Sequence, residues 1–231
     1  MNRDLSVVGQ ALAAPVRATM LNLLMDGSER PASELAAAAG VGASTASEHL
    51  RVLLDAGLVR CMPHGRHRFY AIASEGVAGA LEQLGLLCPE TRPVSYRQSR
   101  DAQGLAEARL CYDHLAGRLG VALAEGLVGR GWVDEDLSVV TEEGTTALEA
   151  LGIDVAALRD RRRQLVRPCP DWTERRPHVA GSVGAALADL FLERGWVVRT
   201  RHRRGLRITP SGVEALRRHW AVGPGALERA G

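Results

Sequence analysis

No lysine occurs among the 231 residues, so all 29 basic side chains are arginines, a bias that reflects codon usage as much as function. Cysteine is scarce too. Cys61, Cys88, Cys111 and Cys169 lie too far apart for the dense disulfide framework of a small secreted domain. No run of about eighteen apolar residues is present to span a bilayer. The short apolar stretch after Met1-Asn-Arg-Asp4 is interrupted by Pro15, which argues against a cleavable export signal. A cytoplasmic protein with no membrane partner is the expectation. Phosphate-binding loops, dinucleotide fingerprints and metal-hydrolase motifs are also missing, which leaves little support for an enzyme.

What is present is a chain 46% hydrophobic, enough for a packed core and long enough for one large or two modest domains. The most informative stretch runs from Val41 to Ile72. Ala46, Leu50, Leu53 and Leu54 recur at helical spacing and make one apolar face, while Ser44, Glu48 and Arg51 point the other way. Gly57 suits the end of that helix. Leu58 to Met62 and Arg66 to Ile72 are strand-like, with Pro63-His64-Gly65 as turn chemistry between them. Pro31 to Gly40 supplies a preceding helix, with proline at its start and glycine at its end. Helix, helix and hairpin in this order is the layout of a winged helix-turn-helix. That layout carries its second helix into the major groove, where base edges encode sequence.

At these residues the chain resembles the ArsR/SmtB family of bacterial winged-helix regulators. The matching pieces are Leu12-Ala-Ala-Pro-Val-Arg17, Leu21-Asn-Leu-Leu24, Glu34-Leu-Ala36, Ser44-Thr-Ala-Ser-Glu-His-Leu50 and Leu53-Leu-Asp-Ala-Gly-Leu-Val59. They cover roughly the first third of the chain. The resemblance implies a homodimeric repressor that binds a double-stranded DNA operator and is released by a ligand, with no cofactor needed for DNA binding. Its DNA-contacting residues would be Ser44, Thr45, Ser47, Glu48, His49 and Arg51 on the helix, with His64, Arg66 and Arg68 on the wing. Glu48 has two readings: it accepts from a cytosine amino group, or it completes a Thr45-x-x-Glu48 capping box. The alternative to the whole assignment is an enzyme or interaction module that uses a winged helix for contacts other than DNA.

Flanking segments extend the expectation. Residues 5 to 25 form one or two helices broken or restarted at Pro15, with Val16, Met20, Leu21 and Leu24 facing a core. Glu75 to Leu87 is a short helix, a dimer contact by resemblance. The winged domain is placed at 1–88 and a proline-containing linker at 89–100. A duplicated domain follows at 101–231. His114 to Val133 aligns with His178 to Val197 at an offset of 64, with 11 identities in 20 positions. Each copy reads helix, Gly-Trp turn, short strands and a threonine-capped helix. The expected fold is therefore mainly α with small β-hairpin wings: a winged helix-turn-helix followed by two tandem helix/wing-like repeats.

The net charge of +2 conceals an asymmetry between these copies. Asp101 to Asp154 holds three arginines against eleven acids, whereas Arg159 to Arg218 holds fifteen arginines against six. Three readings stand: the basic half touches DNA, the halves attract each other, or the charge is solvated surface.

The resembled family senses metals through thiols in the first helix of the motif or through carboxylates and histidines after the wing. Residues 31–40 contain no cysteine and Glu75 to Leu87 no histidine, so those sites do not carry over. A different cluster stands out. Cys111 and His114, three apart on one face of an expected helix, recur as Cys169 and His178, and each copy has Cys-x-Asp before its histidine (Asp113, Asp171). If a pseudo-twofold brings the copies together, two cysteines and two histidines converge. Zinc suits such a set, haem iron can use one cysteine or histidine, and an organic effector fits a cavity lined by Trp132 and Trp196. Against these stand packing cysteines, anchoring histidines, and a helix cap at Asp171-x-x-Glu174. Cys111 with His114 would be the nucleophile and base of an enzyme.

Overall fold

The computed structural model of the chain describes residues 4–64, 67–88, 103–200 and 204–227. It is mainly helical with small antiparallel sheets, and its contacts divide it into two units, Met1–Leu81 and Glu82–Gly231. The division falls inside a helix rather than at the expected 89–100 linker, which lies outside the described residues. Among those residues no single helix is long and apolar enough to cross a membrane.

In the first unit, Pro15 sits at the first position of α2, where its missing N–H costs no intrahelical bond. The chain therefore stops α1 (Ser6–Leu12) and restarts as α2 (Pro15–Leu24). Met20, Leu21 and Leu24 of α2 are buried together with Leu35 and Ala36 of α3 (Ala32–Ala39) and Ala46, Leu50 and Leu53 of α4 (Ala43–Asp55). Burying each leucine contributes about 1.5–3 kcal/mol, which explains why the apolar stripes determine the packing. Gly40 and Gly57 end α3 and α4 with φ of 66° and 67°, the left-handed region that glycine enters without a Cβ penalty.

The hairpin pairs β2 (Val59–His64) with β3 (His67–Ile72), and β1 (Arg30–Pro31) adds to the other side of β3. Two details differ from the sequence reading. The strand β1 was not expected, because two residues carry no periodicity. The expected turn at Pro63 and His64 is instead strand, with Pro63 opposite Arg68 and His64 opposite His67. Proline is tolerated there because β2 is an edge strand and needs no donor on its outer side. Helix α5 (Glu75–Gly85) follows, with the Ser74 hydroxyl accepting the Val77 N–H, and stops two residues short of Leu87.

The main core cluster of the second unit runs from Ala108 to Val222 and draws on both 114–133 and 178–197. The first part contains β4 (Arg109–Cys111), β5 (His114–Ala116), α6 (Gly117–Gly129), α7 (Glu142–Ala150) and α8 (Val155–Arg159). The second contains β6 (Arg167–Pro170), β7 (Pro177–Ala180), α9 (Gly181–Glu193), β8 (Val197–Arg199), β9 (Leu206–Ile208) and α10 (Pro210–Trp220). Where β8 and β9 pair, the first part has only a bridge between Val133 and Val140. Helix α6 packs on β7 and α9 packs on β5, so each long helix covers the other part's hairpin.

Cys111 and His114 are not on a helix. They close the β4–β5 hairpin as cross-strand partners, with Tyr112 in the loop at φ 63°. A spacing of three brings two side chains together in either geometry, which is why spacing alone misassigned the element. Trp132 and Trp196 each pack edge-on against Trp220, with ring centroids 6.2 and 6.0 Å away, inside the core.

Candidate DNA-binding surface and a buried cysteine–histidine cluster

Helix α4 presents two different faces. Ala46, Leu50 and Leu53 are buried, while Ser44, Thr45, Ser47, Glu48 and Arg51 are exposed. The Ser47 hydroxyl donates back to the Ala43 carbonyl at 2.9 Å, a local bond that fixes its rotamer. The residue that caps α4 is Gly42, with no side-chain cap, so Thr45 lies within the first turn and the Thr45-x-x-Glu48 capping box does not form. His49 does not share the exposed face. It is half-buried, and its Nδ1 accepts from Arg17 Nη1 at 3.0 Å, since arginine can only donate. Arg17 also donates to the carbonyls of Ala11 and Gln10, each at 2.7 Å, which ties α4 to the last turn of α1. On the wing, His64 and Arg68 are exposed, and Arg66 lies outside the described residues.

The second unit assembles a cluster from two hairpins. Cys111 and His114 are opposite each other on β4–β5, and Cys169 and His178 on β6–β7. All four are buried, and one potential ligand atom from each lies within 4.8 Å of the others. His114 Nε2 and His178 Nε2 are 3.1 Å apart, and the two Sγ atoms 4.0 Å. Small neighbours allow this approach. A Cβ on Gly120 of α6 would stand 3.3 Å from His178 Cβ, and one on Gly184 of α9 would stand 3.2 Å from His114 Cβ.

Each histidine has a carboxylate behind it. Asp113 Oδ1 lies 3.2 Å from His114 Nδ1, and Asp171 Oδ2 lies 3.1 Å from His178 Nδ1, an ion-pair contact bent away from full hydrogen-bond geometry. Asp113 in turn holds Arg163 at 2.5 Å. Asp171, fully buried, accepts from Arg109 Nη2 at 2.9 Å, from the Thr173 hydroxyl at 2.7 Å and from the Gly117 N–H at 2.7 Å. The expected capping bond at Asp171-x-x-Glu174 is made, with Asp171 accepting the Glu174 N–H at 3.2 Å, but it closes a turn rather than opening a helix, and Asp171 also serves the first N–H of α6. Glu82, buried on the last turn of α5, accepts from Cys111 Sγ at 3.2 Å and pairs with Arg204. Arg109, Arg163, Arg204 and Glu82 had no sequence signal, because nothing local distinguishes them from surface charges. The repeated Cys-x-Asp did mark Asp113 and Asp171.

These contacts shift the titrating groups. Burial works against the Asp171 carboxylate, but its contacts with His178 and Arg109 outweigh burial and hold it well below the usual carboxylate range. Burial alone would lower His178, yet Asp171 and Cys111 push it above its ordinary value. The Cys169 thiol and burial push Cys111 up to about 12, while contact with Cys111 lowers Cys169, so Cys169 ionises first. A thiol raised this far is a poor nucleophile, which counts against pairing Cys111 with His114 for catalysis.

A helix-turn-helix closed by a β-hairpin wing, with a polar exposed face on its second helix, defines a winged-helix DNA-binding protein. Residues 14–60 match the family described as bacterial regulatory protein, arsR family. Over 224 residues, 96% of this chain and 99% of the relative, the sequence is 42% identical to the HTH-type transcriptional regulator YdfF of Bacillus subtilis. The chain belongs to the ArsR family of DNA-binding transcriptional regulators. It is also 41% identical over 80 residues to the HTH-type regulator CmtR of Mycobacterium tuberculosis, covering 35% of this chain and 67% of that one. The NMR structure described as the cadmium metal-sensor CmtR from the same organism aligns at 35% identity and TM-score 0.31, covering 40% of this chain and 99% of that one.

Proposed function

We propose that the protein is a homodimeric repressor that reads an operator through α4 and the wing and is released by an effector held in its second unit. The observation that carries the DNA reading is the division of α4, where Ser44, Thr45, Ser47, Glu48 and Arg51 face solvent from a helix anchored by Leu50 and Leu53. His49 supports that face from behind through Arg17. Arg68 on the wing suits a backbone phosphate, a contact that adds affinity without sequence information. Leu5 and Val7 at α1, and Leu84 and Leu87 at the end of α5, are exposed apolar residues of the kind a dimer covers.

The second unit is read as two copies of one fold related by a pseudo-twofold. Two pairings support this. Thr141 and Thr209 cap α7 and α10 through the Gly144 and Gly212 N–H groups, and Gly120 and Gly184 meet His178 and His114 reciprocally. Arg163–Asp113 and Arg176–Glu125 ion pairs favour mutual attraction as the use of the charge asymmetry. An effector bound where the copies meet, at Cys111, His114, Cys169 and His178, would act by preferring the DNA-free form. A tenfold weakening of operator binding needs about 1.4 kcal/mol of that preference.

Light scattering with footprinting tests the DNA reading. A dimer should protect two half-sites about one helical turn apart, roughly 34–36 Å, and Arg51→Ala should abolish protection. A monomer on a single unsymmetrical half-site would remove it.

A further inference from the structure

We propose that Cys111, His114, Cys169 and His178 are the four ligands of one tetrahedral metal ion of the zinc class, with one thiolate and one imidazole from each hairpin. This names the ligand class of the effector site proposed above. It rests on that reading only for its regulatory consequence.

Geometry is the first argument. Zinc bonds of about 2.3 Å to sulfur and 2.0–2.1 Å to nitrogen give tetrahedral edges of roughly 3.8 Å between sulfurs and 3.3 Å between nitrogens. The corresponding separations are 4.0 Å and 3.1 Å. Those two edges agree to a few tenths of an ångström, and all four ligand atoms lie within 4.8 Å of one another. A porphyrin would not fit among ligand atoms already within 4.8 Å of one another.

Tautomers are the second. Asp113 and Asp171 each face an Nδ1 atom and so favour the proton there. The two Nε2 atoms then face one another across 3.1 Å, where either a proton on one of them or a metal ion between them relieves the lone-pair repulsion. Carboxylate behind histidine is also the outer arrangement that orients metal-bound imidazoles.

Charge and chemistry agree. Two thiolates neutralise a divalent ion, while Asp113 is balanced by Arg163 and Asp171 by Arg109 outside the cluster. Binding releases the two thiol protons to solvent, so affinity falls at low pH. Thiolate and imidazole donors in a closed tetrahedron select zinc and its soft relatives over magnesium or calcium, which take oxygen ligands. With four protein ligands no position stays open for a substrate, which suits a structural or sensing site rather than a catalytic one.

The test starts with the full wild-type chain purified in reductant without chelator. Elemental analysis should find about one zinc per chain. After chelation, cobalt(II) should restore one equivalent with the strong visible bands of a tetrahedral ion and a thiolate-to-metal charge-transfer band. Asp113→Asn should keep that spectrum and weaken binding about 10–100-fold. The Cys111→Ser, Cys169→Ser double variant should lose the charge-transfer band. No bound metal in wild type, a pale octahedral cobalt spectrum, or a Cys111–Cys169 disulfide formed in reductant would each overturn the site, whether or not the variants fold. Operator titration separates the two proposals. Metal binding without any change in DNA affinity upholds the site and removes its effector role. Intact operator binding by a protein that takes no metal removes the site and leaves the DNA reading standing.

Discussion

Gly120 lies against His178 so closely that a Cβ on the glycine would stand 3.3 Å from the histidine Cβ and 2.4 Å from the Leu115 carbonyl oxygen. The second contact is to backbone and cannot relax cheaply. Gly120→Ala is expected to destabilise the second unit by about 1–3 kcal/mol, the usual cost of overpacking a filled interior. Gly184→Ala, which meets the Val179 carbonyl oxygen at 2.6 Å, should behave alike. Gly129, at the end of α6 with nothing within 4 Å, is the control, and alanine there should be neutral or stabilising. Urea unfolding measures all three; equal effects would show that the close approach is unimportant.

The two threonine caps give a second comparison. Thr141 Oγ1 accepts the Gly144 N–H at 2.9 Å, and Thr209 Oγ1 accepts the Gly212 N–H at 3.1 Å. Each hydroxyl also donates to a preceding glycine carbonyl, that of Gly131 or Gly195. Thr141→Ala and Thr209→Ala should each cost about 0.5–2 kcal/mol. If the unit unfolds cooperatively, the two should lower the same single transition, read by circular dichroism. Separate transitions would mean that the parts fold independently.

In the first unit, Asp26 is buried, accepts the Ser28 N–H at 2.8 Å and pairs with Arg30 at 2.6 Å. Burial raises its pKa, but Ser28 and Arg30 outweigh burial and the net direction is down. A depressed carboxyl contributes stability above its unfolded value of about 3.9 and loses it as pH falls through the lower folded value. Asp26→Asn should therefore cost on the order of 1–3 kcal/mol at neutral pH, with the difference from wild type closing only below about pH 3.9. A difference that stays constant through acid would refute the linkage.

Glu48 faces solvent and takes no part in capping α4. Glu48→Gln should change base preference at one operator position by about 1–3 kcal/mol while affinity for the remaining variants stays level. Arg68→Ala should instead weaken every sequence alike and lower the salt slope by about 1. Binding titrations on an operator library at several salt concentrations separate these outcomes; a uniform loss for Glu48→Gln would remove it from base reading.

Where periodicity and a stop residue lie within one element, the sequence alone was informative. Apolar spacing at Ala46, Leu50 and Leu53 with Gly57 behind them defined α4, because helical burial and a left-handed cap are local requirements. Pro15 marked the restart of α2 for a similar reason. The 64-residue offset between His114 and His178 marked the repeated segments. Spacing could not distinguish a helical turn from a hairpin at Cys111 and His114, since both place residues three apart side by side. It also missed β1, whose two residues become a strand only when Phe69 and Tyr70 arrive as partners.

Long-range contacts decided the rest. His49 bonds Arg17, 32 residues away, a partner that no local pattern names. Arg109 became the partner of Asp171, and Glu82 of Cys111, across separations on which composition is silent. The sequence by itself determined which residues are available: two Cys-His pairs, each with an aspartate, on two similar segments. Only the tertiary structure brought His114 and His178 face to face, because α6 packs on β7 and α9 on β5 at glycines that leave no side chain in the way. Packing of that kind depends on shape across the whole core, and no local pattern encodes it.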